Sequence, residues 1–145
     1  MKRAIIISGI VSLFLVFVVT LFYFNRHLFW TKQHISQFLG IETIYGEFEV
    51  LSYQENSIFA GDYDDDVVLQ FDNKRCQRFA DLFLQLESSI EPDDTFYEFY
   101  MSDLNLDGIL SLDREWVKFR GDKTKYLVAY FDVNKCKLHY HYVNL

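Results

Sequence analysis

Hydrophobic positions along the chain fall into two regimes. Residues 4–24, AIIISGIVSLFLVFVVTLFYF, form an uncharged run whose most polar members are Ser8, Ser12 and Thr20. At about 1.5 Å of rise per residue, a helix over this run reaches roughly 30 Å, the thickness of a bilayer's hydrocarbon core. The run has no polar face, so the pattern predicts a transmembrane span. Met1-Lys2-Arg3 is a basic start of the kind a secretory signal carries. A cleaved signal has a shorter apolar core, however, and small residues at its cleavage site, and neither is found here. The expectation is an uncleaved signal anchor, with Phe22, Tyr23, Phe24, Phe29 and Trp30 as an aromatic belt at the far interface. Residues 25–40 continue as a helical stalk, with Leu28, Ile35, Phe38 and Leu39 on one face of a 3.6-residue period and Gly40 as the stop.

From Ile44 the period shortens to that of strands. IYGEFEVLSY (44–53) and NSIFAG (56–61) read as a hairpin-like pair, and the acidic stretch Asp62–Asp66 reads as a solvated tip leading into the strand VVLQF (67–71). A helix is predicted over 74–89, capped by Asp72 or Asn73. Its inner stripe is Cys76, Phe79, Ala80, Phe83 and Leu86 or Glu87. Glu91–Asp94 is a turn around Pro92, followed by strands at 95–101, 109–119, 125–133 and 136–143. Short links between the later strands suit antiparallel neighbours, and a slip in apolar phase suggests a bulge near Asp113–Glu115. The class is therefore α+β: an N-terminal single transmembrane helix followed by a small antiparallel β-sheet domain with one packed helix. The expected plan is a short tail at 1–3, the signal anchor at 4–24, a juxtamembrane stalk at 25–40 and a domain at 41–145.

Charge sharpens this picture. Residues 1–40 hold Lys2, Arg3, Arg26 and Lys32 and no acid, whereas 41–145 carry the remaining ten basic and all 21 acidic residues, a net of −11. Such a domain is a poor ligand for nucleic acid, which recruits Lys and Arg to replace counterions on phosphate. It is also repelled from anionic lipid, so any partner it meets is expected to be a protein, and a basic one. The very short N-terminal tail places the N-terminus in the cytoplasm and the domain outside it, on the cell membrane (the inner membrane of a Gram-negative cell). The two cysteines, Cys76 and Cys136, are read either as a disulfide, as an oxidising compartment allows, or as two buried free thiols.

One stretch carries recognisable chemistry. Asp103-Leu104-Asn105-Leu106-Asp107-Gly108-Ile109-Leu110-Ser111 has oxygen-bearing side chains at positions 1, 3 and 5, a glycine for the sharp turn at 6, and a backbone carbonyl at 7. Ca²⁺ takes six to eight oxygens at about 2.3–2.6 Å, which such a wrap supplies. The stretch resembles the calcium loops of EF-hand and dockerin proteins and of integrin-like propellers, over residues 103–115 only. That resemblance implies calcium held by Asp103, Asn105, Asp107, Ile109 and Ser111, with Asp113 closing the shell. Position 12 is Arg114 instead of a bidentate Glu, and the flanks read as strands. The competing reading is a hairpin turn, for which Asp-Gly is sufficient.

His27 and His34 read as polar residues of the stalk, and His139 and His141 as exposed residues on one face of the last strand, opposite Cys136. The chain shows no G-x-S-x-G, phosphate loop, H-E-x-x-H or C-x-x-C. The sequence therefore points to a non-catalytic, membrane-anchored protein-binding module, such as an envelope or secretion component or a toxin-neutralising immunity-type protein. Two alternatives remain: a calcium-stabilised structural subunit of pilin-like layout, and a metal-dependent enzyme built on Asp103, Asp107 and Asp113.

Overall fold

A computed structural model describes residues 2–42, 46–59, 62–90, 117–122 and 124–145. Two compact units divide the chain, Met1–Thr31 and Lys32–Leu145. Helix α1 runs Lys2–His34 and passes into a single wider, π-type turn at Ile35–Leu39. Gly40, in the left-handed region at φ 64°, ends it as expected. Residues 7–26 are exposed throughout, and the helix from Ile7 is long and apolar enough to cross a membrane. Two of its polar side chains bond back to the helix: Thr20 Oγ1 donates to Val16 O at 2.8 Å, and Asn25 Nδ2 to Leu21 O at 2.8 Å. Back-bonding of this kind lets a hydroxyl or amide sit where no water is available. At the end of the apolar run the Arg26 guanidinium lies 5.0 Å from the centre of the Tyr23 ring, a cation–π contact.

The second unit is an antiparallel sheet of five strands with a helix upon it, the expected α+β class. The strands are β1 (Phe48–Phe59), β2 (Asp62–Phe71), β3 (Val117–Gly121), β4 (Lys125–Asp132) and β5 (Lys137–Asn144), in the order β1-β2-β5-β4-β3. The expected hairpin between 44–53 and 56–61 is corrected: residues 48–53 and 56–59 of these segments belong to one strand, β1, which pairs with β2 from Phe48↔Phe71 to Phe59↔Asp62, while 44–45 and 60–61 lie outside the described residues. The polar run Gln54–Ser57 imitates a turn in sequence. On an outermost strand it costs nothing to expose, and no Gly or Pro interrupts it. The expected solvated tip at Asp62–Asp66 is corrected in the same way, because these residues are the first half of β2.

Helix α2 (Asn73–Leu84) starts where the cap predicts, with Asp72 Oδ1 accepting from the backbone N–H of Lys74 and Arg75 at 2.8 and 3.0 Å. Cys76, Phe79, Ala80 and Phe83 form its buried stripe. It ends well before the expected 89 because the following residues bond to β3 instead. Ser89 N donates to Phe119 O, the backbone N–H groups of Phe119 and Gly121 donate to the hydroxyls of Ser88 and Ser89, and Arg120 donates to Glu87 O. These bonds close the outer edge of β3.

One face of the sheet carries both α2 and the turn at 35–39. Phe71 and Phe131 pack against Phe79 at ring-centre distances of 4.2 and 5.0 Å. Ile35, Phe38, Leu39, Leu69, Leu127 and Leu138 fill the remainder, and Arg120 Nε donates to Phe38 O at 3.0 Å. Residues 32–40 thus belong with the sheet, so the boundary between units falls ahead of the expected 40/41. On the opposite face, Val117, Phe119, Tyr126, Val128 and Val143 form a second buried cluster. Cys76 and Cys136 are joined in a disulfide with their Cα atoms 5.3 Å apart, fastening the first turn of α2 to the β4–β5 turn.

Candidate functional site

Among the described residues of the domain, the β1–β2 segment carries most of the net negative charge. Residues 46–71 include Glu47, Glu49, Glu55, Asp62, Asp64, Asp65 and Asp66 and no lysine or arginine. Strand alternation sorts these acids. Asp65 continues the stripe of Val67, Leu69 and Phe71 onto the helix-bearing face, while Asp64 and Asp66 turn to the other. Across the ladder Glu55 stands opposite Asp65, Gln54 opposite Asp66 and Asn56 opposite Asp64.

Asp65 is 2% exposed. It lies beneath His34, whose Nδ1 is 3.9 Å from Asp65 Oδ2 and 3.4 Å from the Tyr140 hydroxyl. The His34 ring is stacked on Tyr142 with centres 4.0 Å apart. Burial pushes the Asp65 carboxyl up to about 6, with Glu55, Asp64 and Asp66 adding to the rise and a hydrogen bond from Tyr53 opposing it. Burial alone pulls His34 down to about 4. At neutral pH the imidazole is therefore uncharged beside an ionised carboxylate, and no hydrogen bond reaches Asp65 Oδ1.

On the opposite face His141 Nδ1 lies 2.7 Å from Asp66 Oδ1, an arrangement that fixes the imidazole's orientation. His141 is buried and His139 half-buried, which corrects the expectation that both are exposed. Their placement on one face, away from Cys136, is as expected. Burial and the nearby Lys137 lower the His139 pKa. Neither cysteine is a free thiol, so thiol chemistry has no nucleophile in the bridged protein. A small open cleft beside α2 is lined by Ile41, Glu47, Phe71, Arg75, Arg78 and Leu82. Its charges answer one another, with Glu47 Oε1 at 3.9 and 3.6 Å from Arg75 and Arg78.

The expected calcium ligands Asp103, Asn105, Asp107, Ile109, Ser111 and Asp113 lie outside the described residues, as does the expected bulge at 113–115. Among the described residues no three His, Cys, Asp or Glu side chains are grouped to hold a metal ion. Sequence reasoning missed the His34–Asp65 pair. The available signal was the period-2 stripe Asp65-Val67-Leu69-Phe71, read one step into the acidic run. No protein-family model, curated protein or solved structure matches this chain.

Proposed function

We propose that this chain is a single-pass membrane protein whose acidic domain stands outside the cytoplasm as a non-catalytic protein-binding module. The observation that carries the reading is a fully exposed apolar helix over Ile7–Phe24 on the same chain as a disulfide-closed domain. Exposed apolar side chains on this scale call for lipid around them. A bridged cysteine pair fits an oxidising compartment, which supports an extracytoplasmic domain. Uniform acidity on the β1–β2 pair favours a protein partner over a nucleic acid or an anionic lipid surface. An envelope or secretion assembly, or neutralisation of a toxin at the membrane, is a setting of this kind.

Three results test it. Alkaline carbonate should leave the full-length chain in the membrane pellet, and a periplasm-active reporter fused after Leu145 should be active. Photocrosslinkers spread over the domain in living cells should give discrete adducts with another protein. A mature chain lacking residues 1–24 would refute the anchor, and the absence of adducts from every face would refute the binding role.

A further inference from the structure

We infer that residues His34–Leu39 are a releasable clasp, which lifts from Asp65, Tyr140 and Tyr142 while the strands beneath it stay folded.

The two elements laid on this face of the sheet are fastened differently. Helix α2 is tied covalently, from Cys76 in its first turn to Cys136 in the β4–β5 turn. The clasp is seated by packing. Ile35 and Leu39 are fully buried, the His34 ring stacks on Tyr142 with centres 4.0 Å apart, and the Phe38 ring lies 5.1 Å from that of Tyr142. Arg120 Nε donates to Phe38 O at 3.0 Å. The turn itself is of the wide π type, which helices adopt rarely and for a single turn, often where a protein does its work.

Beneath the clasp lies a charge that the seated arrangement serves poorly. Asp65 is 2% exposed. Its Oδ2 is 3.9 Å from His34 Nδ1, too far for a hydrogen bond, and no hydrogen bond reaches Oδ1. The Tyr53 hydroxyl serves the carboxylate, whereas Glu55, Asp64 and Asp66 crowd it with like charge. An ionised carboxylate kept from water in this way is unfavourable for as long as the cover stays down. Lifting the clasp admits water and removes that term. Burial of Ile35, Phe38 and Leu39 favours the seat and the carboxylate opposes it, so the clasp opens at a lower free energy than the sheet unfolds. Opening uncovers Asp65 beside the rings of Tyr140 and Tyr142, a surface that the seated state closes to any partner.

The test is thiol labelling of the full chain in detergent micelles at pH 7.5. Both native cysteines are bridged, so an introduced cysteine is the sole thiol. Leu39→Cys reports on the clasp, and Leu127→Cys, fully buried in β4, reports on the sheet. The Leu39→Cys thiol should react at least tenfold faster, with little dependence on urea below the unfolding transition. Leu127→Cys should depend steeply on urea, because its exposure needs the whole domain to open. Adding Asp65→Asn removes the charge and keeps the shape. It should slow labelling at Leu39→Cys about a hundredfold, as follows from a carboxyl raised from 3.8 to about 6 by burial. Equal rates with equal urea dependence at the two positions would overturn the clasp, since both then report global unfolding. So would labelling at Leu39→Cys that Asp65→Asn leaves unchanged or accelerates. Should either reporter fail to fold, Ile35→Cys and Val128→Cys, also fully buried, take their places under the same criteria.

Discussion

Replacing Asp65 should make the protein more stable at neutral pH, and the gain should vanish in acid. The Asp65 carboxyl is raised from 3.8 to about 6; at about 1.4 kcal/mol per pH unit this is a cost of roughly 3 kcal/mol for keeping it ionised in the fold. Because the folded state holds that proton more tightly than the unfolded state, stability from this group increases as the pH falls from about 6 to 3.8. His34, lowered from 6.5 to about 4, acts in the opposite sense. Its unfolded form takes a proton first, so roughly 3 kcal/mol is lost as the pH falls from 6.5 to about 4. The two slopes nearly cancel in the wild type. Asp65→Asn should therefore gain about 2–3 kcal/mol at pH 7.5 and close to nothing at pH 4, leaving the His34 slope uncompensated. His34→Phe keeps a ring on Tyr142 and should show the mirror image, relative stability increasing towards pH 4. The assay is urea unfolding of the full chain in detergent micelles, followed by near-ultraviolet circular dichroism at several pH values. Subtracting the wild type at each pH removes the titration of all other groups. If Asp65→Asn proves destabilising at pH 7.5, or the difference does not change with pH, the pair is charged in the fold and the reasoning fails. Breaking a buried ion pair leaves an uncompensated charge and destabilises.

The disulfide, whose cysteines are 60 residues apart, should contribute about 4 kcal/mol through loop entropy; the double variant Cys76→Ser/Cys136→Ser should melt more than about 10 °C lower. Dithiothreitol should reproduce that drop in the wild type, and a change under about 1 kcal/mol would show that loop closure is not what the bridge supplies. Gly121 has φ 128°, and a Cβ there would meet Lys125 O and lie 2.6 Å from Tyr126 Cα, while Gly40 at φ 64° opens on empty space. Gly40→Ala should cost about 1–2 kcal/mol and Gly121→Ala distinctly more; equal Tm values would contradict the close approach at β3–β4. Millimolar calcium should raise the Tm by several degrees over EDTA, about 2.7 kcal/mol at a hundredfold excess over Kd. The shift should disappear in Asp107→Ala, and no shift in the wild type would reduce 103–111 to a turn.

Much of the fold was legible because burial imposes a period. The stop at Gly40, the cap at Asp72, the stripe Cys76-Phe79-Ala80-Phe83 and the positions of β4 and β5 all follow from local residue chemistry and alternation. The errors share one cause. Gln54-Glu55 and Asp62–Asp66 are polar enough to be loops, yet they form strands because the backbone groups of β2 are satisfied by β1 and β5, a tertiary fact that composition does not record. The early end of α2 has the same origin: Ser88 and Ser89 find partners on β3, far along the chain. His34 could be assigned to a polar stalk only while the sheet beneath it was unknown, and its stacking on Tyr142 depends on a pairing more than a hundred residues away.

The Cys76–Cys136 bridge also governs what a protease can achieve. The ring it closes contains α2 beyond its first turn, β3 and β4, and every residue of 77–135. One cut anywhere in that ring severs the polypeptide without separating the pieces, because the carboxyl-terminal part, with the central strand β5, stays covalently bound to the amino-terminal part. On the anchored reading, shedding of the domain therefore requires a cut before Cys76 or reduction of the bridge. A nicked molecule would stay at the membrane and keep its full apparent mass on a non-reducing gel.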